Sequence, residues 1–201
     1  ELQDGRTIRL LNINTPERRN FGFDEASNFL KNFENKSVEL EISGVDKYGR
    51  ILGRLYHDEY INLEIIRLGL AHNFLVDDSE IEKFKDVETE ARNNELGIWE
   101  KSEHYNCLNA EINKKDEFVI IERIKDECRI NFKGWTLKDE STKDYTFEKI
   151  QESKFIFYSE KGIDKNGEYY WGRGKAWNDD KDSIFIRDEK GKLVYYDNYG
   201  Y

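Results

Sequence analysis

Apolar residues along the first hundred positions alternate between two rhythms, one of period two and one of period three to four. Residues 7–13 have strand composition and run into a Thr15-Pro16 turn. Asp4-Gly5 just ahead reads as a hairpin turn, which implies an earlier strand represented here by Glu1, Leu2 and Gln3. Phe23, Ala26, Phe29, Leu30 and Phe33 fall at helical spacing. Residues 38–42 alternate as a strand, 44–49 turn, and 51–56 form the next strand. Asn62 opens a short helix carrying Leu63, Ile66 and Leu70. Ser79 and Glu82 have capping-box spacing for a longer helix with Phe84, Val87 and Ala91, ending near Gly97-Ile98-Trp99. The predicted order is strand, helix, strand, strand, helix, helix.

The pattern breaks across residues 103–109, which divides the chain into domains 1–104 and 105–201. Beyond the break come short strands at 117–123, 135–137, 145–147, 155–158, 183–187 and 193–196. Turns at 164–167 and 188–191 separate them with residues that tolerate positive φ. No long helix interrupts this half, which reads as an antiparallel β-sandwich of about 100 residues, the usual size for that architecture.

Composition narrows the partners. The chain has 201 residues, 32 Lys+Arg against 42 Asp+Glu, and a net charge of −10. Residues 1–105 hold 14 basic and 22 acidic side chains, and the remainder 18 and 20, so the halves carry −8 and −2. An acidic chain does not attract polyphosphate through its overall field; nucleic acid would need a local basic cluster or a bound cation. No stretch is apolar enough for a transmembrane helix. The absence of methionine and the start at Glu1 lead us to expect that the natural N-terminus lies upstream, with any signal peptide out of view. Cys107 and Cys128 exclude a disulfide-rich scaffold and a zinc site; one bridge or two buried thiols both fit.

Two clusters carry candidate chemistry. In Arg9-Leu10-Leu11-Asn12-Ile13-Asn14-Thr15-Pro16-Glu17 a strand delivers an arginine, and the following turn delivers an amide, a carbonyl and a carboxylate. Hydrolysis of a phosphodiester needs charge neutralisation, an activated water and a protonated leaving oxygen. Asp46-Lys47-Tyr48-Gly49-Arg50 puts a second arginine at the start of a strand beside an aromatic ring able to stack on a base. Taken singly, each cluster also reads as an ordinary charged turn.

Together these motifs, with Leu68-Gly69-Leu70-Ala71 and Glu95-Leu96-Gly97-Ile98-Trp99, resemble the staphylococcal (micrococcal) nuclease family over about residues 7–99. The resemblance implies an α+β OB-fold-like five-stranded barrel with three helices, its N-terminal strands truncated here, acting on DNA or RNA. It implies Arg9 and Arg50 on the scissile phosphate, Glu17 as general base or water-positioning residue, and Lys47 and Tyr48 bordering the nucleotide. Asn14 and the Thr15 carbonyl would sit at a Ca2+ site. Two departures stand out: Asn14 replaces the family's usual Asp, and a D-G-D-T-type strand with a further metal-binding Asp is absent. Asp4-Gly5-Arg6-Thr7 abuts the Arg9 strand and reads as the following turn. The alternative is therefore a catalytically weak or inactive module that binds nucleic acid or protein.

The second half has its own resemblance. Gly134-Trp135-Thr136-Leu137, Asp144-Tyr145-Thr146-Phe147, Tyr170-Trp171-Gly172-Arg173-Gly174 and Trp177-Asn178-Asp179-Asp180 stand in the order of a lamin tail domain. That resemblance implies an all-β immunoglobulin-like sandwich that binds or anchors, with a protein or the cell envelope as partner and a secreted or envelope setting. Trp135, Trp171 and Trp177 read as core, with ligand stacking as the lesser alternative. Gly172-Arg173-Gly174 has no following helix and is no dinucleotide motif. His57, His72 and His104 are scattered away from metal-ligand spacing. Asp77, Asp78, Glu80 and Glu82 read as a solvated helix start, with a second cation site as the sharper alternative.

Overall fold

The strand expected at residues 7–13 breaks in two. In the computed structural model, which describes residues 1–125 and 127–201, β1 (Ile8–Leu10) stops and the chain turns through Leu11 and Asn12 before β2 (Ile13–Asn14). Asn12 takes a left-handed conformation, φ 67°, which asparagine tolerates better than most residues. Its buried carboxamide holds the turn by donating to Glu80 at 2.6 Å and accepting from the Asp77 amide at 3.1 Å.

The described residues form two units, Glu1–Trp99 and Glu100–Tyr201. In the first, α1 (Phe23–Lys31) precedes β3 (Glu39–Val45), β4 (Ile51–His57) and β5 (Glu59–Tyr60). Then come α2 (Ile61–Arg67), β6 (His72–Asn73) and α3 (Ile81–Asn93). β4 is central, parallel to β1 and antiparallel to β3 and β5, while β2 and β6 pair as a separate antiparallel ribbon. Leu2 to Arg6 forms only a turn, closed by the Leu2 amide on the Arg6 carbonyl at 2.8 Å.

Polar side chains lock these pieces where the pattern alone did not show it. Asn62, expected to open α2, lies inside it and fully buried. It accepts from the Leu55 amide and donates to the carbonyls of Leu11 and Gly53, so it ties the end of β1 to β4. The capping box expected at Ser79 does not form: α3 is capped at Glu80 without a side-chain hydrogen bond. Glu80 instead accepts from Arg54 Nε at 2.8 Å and from Asn12, and a charge-assisted bond to a guanidinium outweighs a neutral cap. Arg54 also engages Asp77 and Glu41. Asp77 and Glu80 of the acidic run are thus tied to an arginine.

The Leu68-Gly69-Leu70-Ala71 and Glu95–Trp99 motifs meet through backbone. The Ile98 amide donates to the Gly69 carbonyl at 2.7 Å, and Gly69 and Gly97 both have positive φ. A Cβ on Gly69 would lie 2.2 Å from the Leu96 carbonyl oxygen, and one on Gly97 would lie 2.2 Å from that of Gly69. Only glycine fits this close approach.

The second unit is all β. One sheet runs β12 (Glu168–Tyr170), β11 (Lys154–Tyr158), β8 (Phe118–Arg123) and β7 (Leu108–Asn113). The other runs β10 (Asp144–Thr146), β9 (Thr136–Lys138), β13 (Asp182–Arg187) and β14 (Leu193–Tyr199). Val119, Ile121, Phe155 and Phe157 from the first share a core with Leu137, Ile184, Ile186 and Val194 from the second. Trp135 and Trp177 are buried in it and Trp171 packs at its margin. Within this unit Glu100 and Ser102 bond to the backbone of Leu193.

Cys107 and Cys128 are bridged, with Cα atoms 5.9 Å apart and 21 residues of sequence separation. A loop of that length restricts the unfolded chain enough to contribute about 3 kcal/mol. Reduction should therefore lower the stability of this unit by about that amount. Urea unfolding followed by tryptophan fluorescence, with and without reductant, measures the difference.

Candidate active site

The parallel β1–β4 pair places the two arginines. Ile8 lies opposite Ile51 and Arg9 opposite Leu52, and the Ile51 amide donates to the Thr7 carbonyl at 2.8 Å. Arg50 therefore stands level with Thr7. Because side chains alternate along a strand, Thr7, Arg9, Arg50 and Leu52 share one face of the sheet. The two guanidinium groups come from positions 41 residues apart in the chain onto that face.

Each arginine is held differently. Arg9 Nη1 donates to the carbonyls of Leu10 at 3.0 Å and Ile13 at 2.8 Å, and Nη2 lies 3.4 Å from Asn14 Oδ1. All three acceptors are neutral, and the guanidinium carbon sits 5.4 Å from the centre of the Phe74 ring. Burial holds Arg9 below the usual arginine pKa, and the charge of Arg50 pushes the same way, while Glu17 and Asp46 oppose both. Arg9 thus lies in the field of Arg50, Glu17 and Asp46 together. Arg50 makes an ion pair, Nε to Asp46 Oδ2 at 2.7 Å. Among the described residues nothing accepts from its Nη amines.

The turn before β4 is built on Asp46. Its Oδ1 accepts from the amides of Tyr48 at 2.8 Å and Arg50 at 3.0 Å, and its backbone amide bonds the Arg50 carbonyl. Gly49 supplies the positive φ that closes the turn. Burial pushes the Asp46 carboxyl up, but hydrogen bonds from the Arg50 amide and side chain hold it below the usual carboxylate range. Tyr48 is 73 % exposed, and its ring has Lys47 Nζ at 5.1 Å and the Arg50 guanidinium at 5.6 Å.

Glu17 lies beyond β2, exposed, its carbonyl taking the Asn20 amide at 2.9 Å. Its carboxylate makes no hydrogen bond to the described residues and acts on Arg9 through the field alone. Asn14 is buried in the ribbon opposite His72, and Thr15 follows it half-buried. Arg9, Arg50 and Lys47 outnumber Glu17 and Asp46 by one charge, on a unit that is acidic overall.

The oxygen donors do not fit a calcium ion. Calcium takes about six to eight oxygens, with carboxylates among them. Asn14 and Thr15 offer neutral oxygens, and Asn14 Oδ1 faces a guanidinium. Among the described residues no group of three His, Cys, Asp or Glu side chains is arranged for a metal.

Sequence reasoning missed the roles of Asp46 and Phe74 in holding the arginines. The first was readable, since an acid four residues before an arginine across a glycine turn can close back on it. The second depends on β6 returning beside β2, which no local pattern encodes.

Residues 7–101 match the family model described as staphylococcal nuclease homologue. A relative in Arabidopsis thaliana, Staphylococcal-like nuclease CAN1, is 31 % identical over 97 residues, covering 47 % of this chain and 30 % of its own length. The matched stretch spans less than a third of that relative's length. No described helix is long and apolar enough to cross a membrane. Residues 7–101 form a staphylococcal-nuclease-like domain.

Proposed function

We propose that this domain hydrolyses phosphodiester bonds in single-stranded DNA or RNA. The observation that carries the reading is the register of β1 on β4, which sets Arg9 and Arg50 on one face, with the charge of Glu17 acting on Arg9. A phosphate bound between the guanidinium groups would be neutralised in its ground state and more strongly in the pentacoordinate transition state, where charge accumulates on its oxygens. Glu17 would take a proton from the attacking water as the new P–O bond forms. The opposite P–O bond breaks, and the leaving oxygen takes its proton from solvent, because a guanidinium holds its own too tightly. Tyr48 would stack on a base while Lys47 contacts backbone phosphate.

The oxygen donors present do not fit Ca2+. The calcium dependence implied by the resemblance enters as a variable in the assay. Digestion of a labelled single-stranded DNA by the chain, with calcium, with chelator and with Arg50→Ala, tests the reading. Cleavage that falls about 100-fold or more in the variant is expected for a lost transition-state donor. Equal cleavage under all three conditions would refute it.

A second reading has one observation in its favour. Asn14 gives up an anionic oxygen and turns its amide toward Arg9, as a module that binds nucleic acid without cutting it would allow. Unchanged substrate with retained, salt-sensitive binding would select that reading. For the second unit we infer a lamin-tail-like, immunoglobulin-type sandwich that anchors the domain to a protein or the cell envelope. Two sheets around a shared tryptophan-rich core support it.

A further inference from the structure

We infer that Asp46 is a positioning residue that aims the Arg50 fork at the substrate phosphate. The inference rests on the phosphodiesterase reading above and specifies how the site keeps its mobile arginine in register. Arg9 and Arg50 face the same problem with different supports. Arg9 is wedged between neutral carbonyls of its own strand and turn, so its position follows from backbone geometry. Arg50 has no such cradle: its side chain is 39 % exposed, and it would sample many rotamers if left alone.

Asp46 removes that freedom with one carboxylate used on both sides. Oδ1 gathers the amides of Tyr48 and Arg50, which fixes the turn and the direction in which the Arg50 side chain leaves it. Oδ2 takes Nε at 2.7 Å. A carboxylate can also grip a guanidinium through the Nη edge, and that would occupy the atoms a phosphate needs. Here the bond is to Nε, and the Nη pair, the edge suited to two phosphate oxygens, has no acceptor among the described residues. The same turn sets the Tyr48 ring 5.6 Å from the guanidinium, so base platform and phosphate clamp share one support.

Asp46→Asn separates the two jobs. The amide oxygen still accepts from both backbone amides and keeps the turn, while the NH2 group cannot accept from Nε. Catalysis should fall through kcat by about 10-fold or more, with KM changed less than about 3-fold and the melting temperature held, because misaimed donors weaken the transition state more than the ground state. In an Arg50→Ala background the same substitution should have no further effect, since residues acting as a unit are not additive. A loss that is additive with Arg50→Ala, or a kcat within about 2-fold of wild type, would overturn the inference.

Should the unmodified chain cleave nothing, the phosphodiesterase reading fails, and the positioning is decided separately by NMR. The Arg50 Nε–H signal should be protected from solvent exchange in the wild type and lose that protection in Asp46→Asn. An Nε–H signal indifferent to the substitution would sink the inference whatever the activity.

Discussion

Replacing Arg9 with lysine should lower kcat/KM on single-stranded DNA by about 100-fold or more, even though the formal charge is kept. Arg9 does two things with one planar group. Its Nη1 bridges the carbonyls of Leu10 and Ile13 across the turn that separates β1 from β2, and the rest of the guanidinium carries charge toward Arg50 and Glu17. A lysine ammonium is a single point with three donors, and it cannot span both carbonyls while offering a fork to phosphate. It also loses its proton more readily when buried. The bridge matters for the whole site, because the turn it closes delivers Asn14, Thr15 and Glu17. Steady-state rates with circular dichroism as a control on folding measure the effect. A lysine variant with nearly wild-type activity would mean that Arg9 acts only as background charge.

The second large effect lies in the other unit and concerns pH. Glu140 and Asp182 are almost completely buried beside Asp139. Glu140 accepts from Asn178 at 3.0 Å and from the Tyr201 hydroxyl, and Asp182 accepts from the amides of Asn178, Ser183 and Glu140. Burial pushes Glu140 up to about 8, with Asp182 and Asp139 adding to the rise and Tyr201 opposing it. Burial likewise pushes Asp182 up to about 6, against the backbone amides that favour its charged form. Both groups bind protons more tightly folded than unfolded. The stability they contribute is complete below the ordinary carboxylate values and is lost as pH rises, to about 6 for Asp182 and about 8 for Glu140.

The urea midpoint of this unit should therefore be higher at pH 5 than at pH 9, by the equivalent of about 3 kcal/mol. Glu140→Gln, which keeps acceptor and shape without the ionisation, should remove most of that slope. Three of the four tryptophans belong to this unit, so fluorescence reports it. A midpoint that rises with pH between 5 and 9 would contradict the assignment.

Much of the first unit was legible because its signals are local. The helical spacing of Phe23 to Phe33 became α1, and the alternation after Gly49 became β4. Residues 7–13 misled because their apolar run continues through a turn set by Asn12, whose carboxamide finds its partners more than sixty residues away. The capping box at Ser79 failed because α3 starts one residue later, with Glu80 at the cap position and its carboxylate held by Arg54 from another strand. In the second unit β7 was overlooked although Leu108 and Ala110 alternate inward with Asn109 and Glu111 outward. Its first residues fell inside the expected break. β12 was missed because three residues laid parallel on β11 carry no pattern of their own.

At the site, the sequence supplied the residue types and their spacing, and the fold supplied the neighbourhood. The motif around Arg9 and the motif around Arg50 each looked like a charged turn. The parallel register that sets them on one face is a long-range fact. Asp46, which the sequence reading passed over, emerged as the residue on which the second motif is built.

The most direct test is a crystal structure of the chain with a short single-stranded oligonucleotide whose phosphodiesters are replaced by slowly hydrolysed phosphorothioates. One phosphorothioate should be hydrogen-bonded by the Nη atoms of Arg50 and by Arg9, with the Glu17 carboxylate on the side away from the leaving oxygen. An oligonucleotide seated on a different face, with Arg9 and Arg50 untouched, would contradict it.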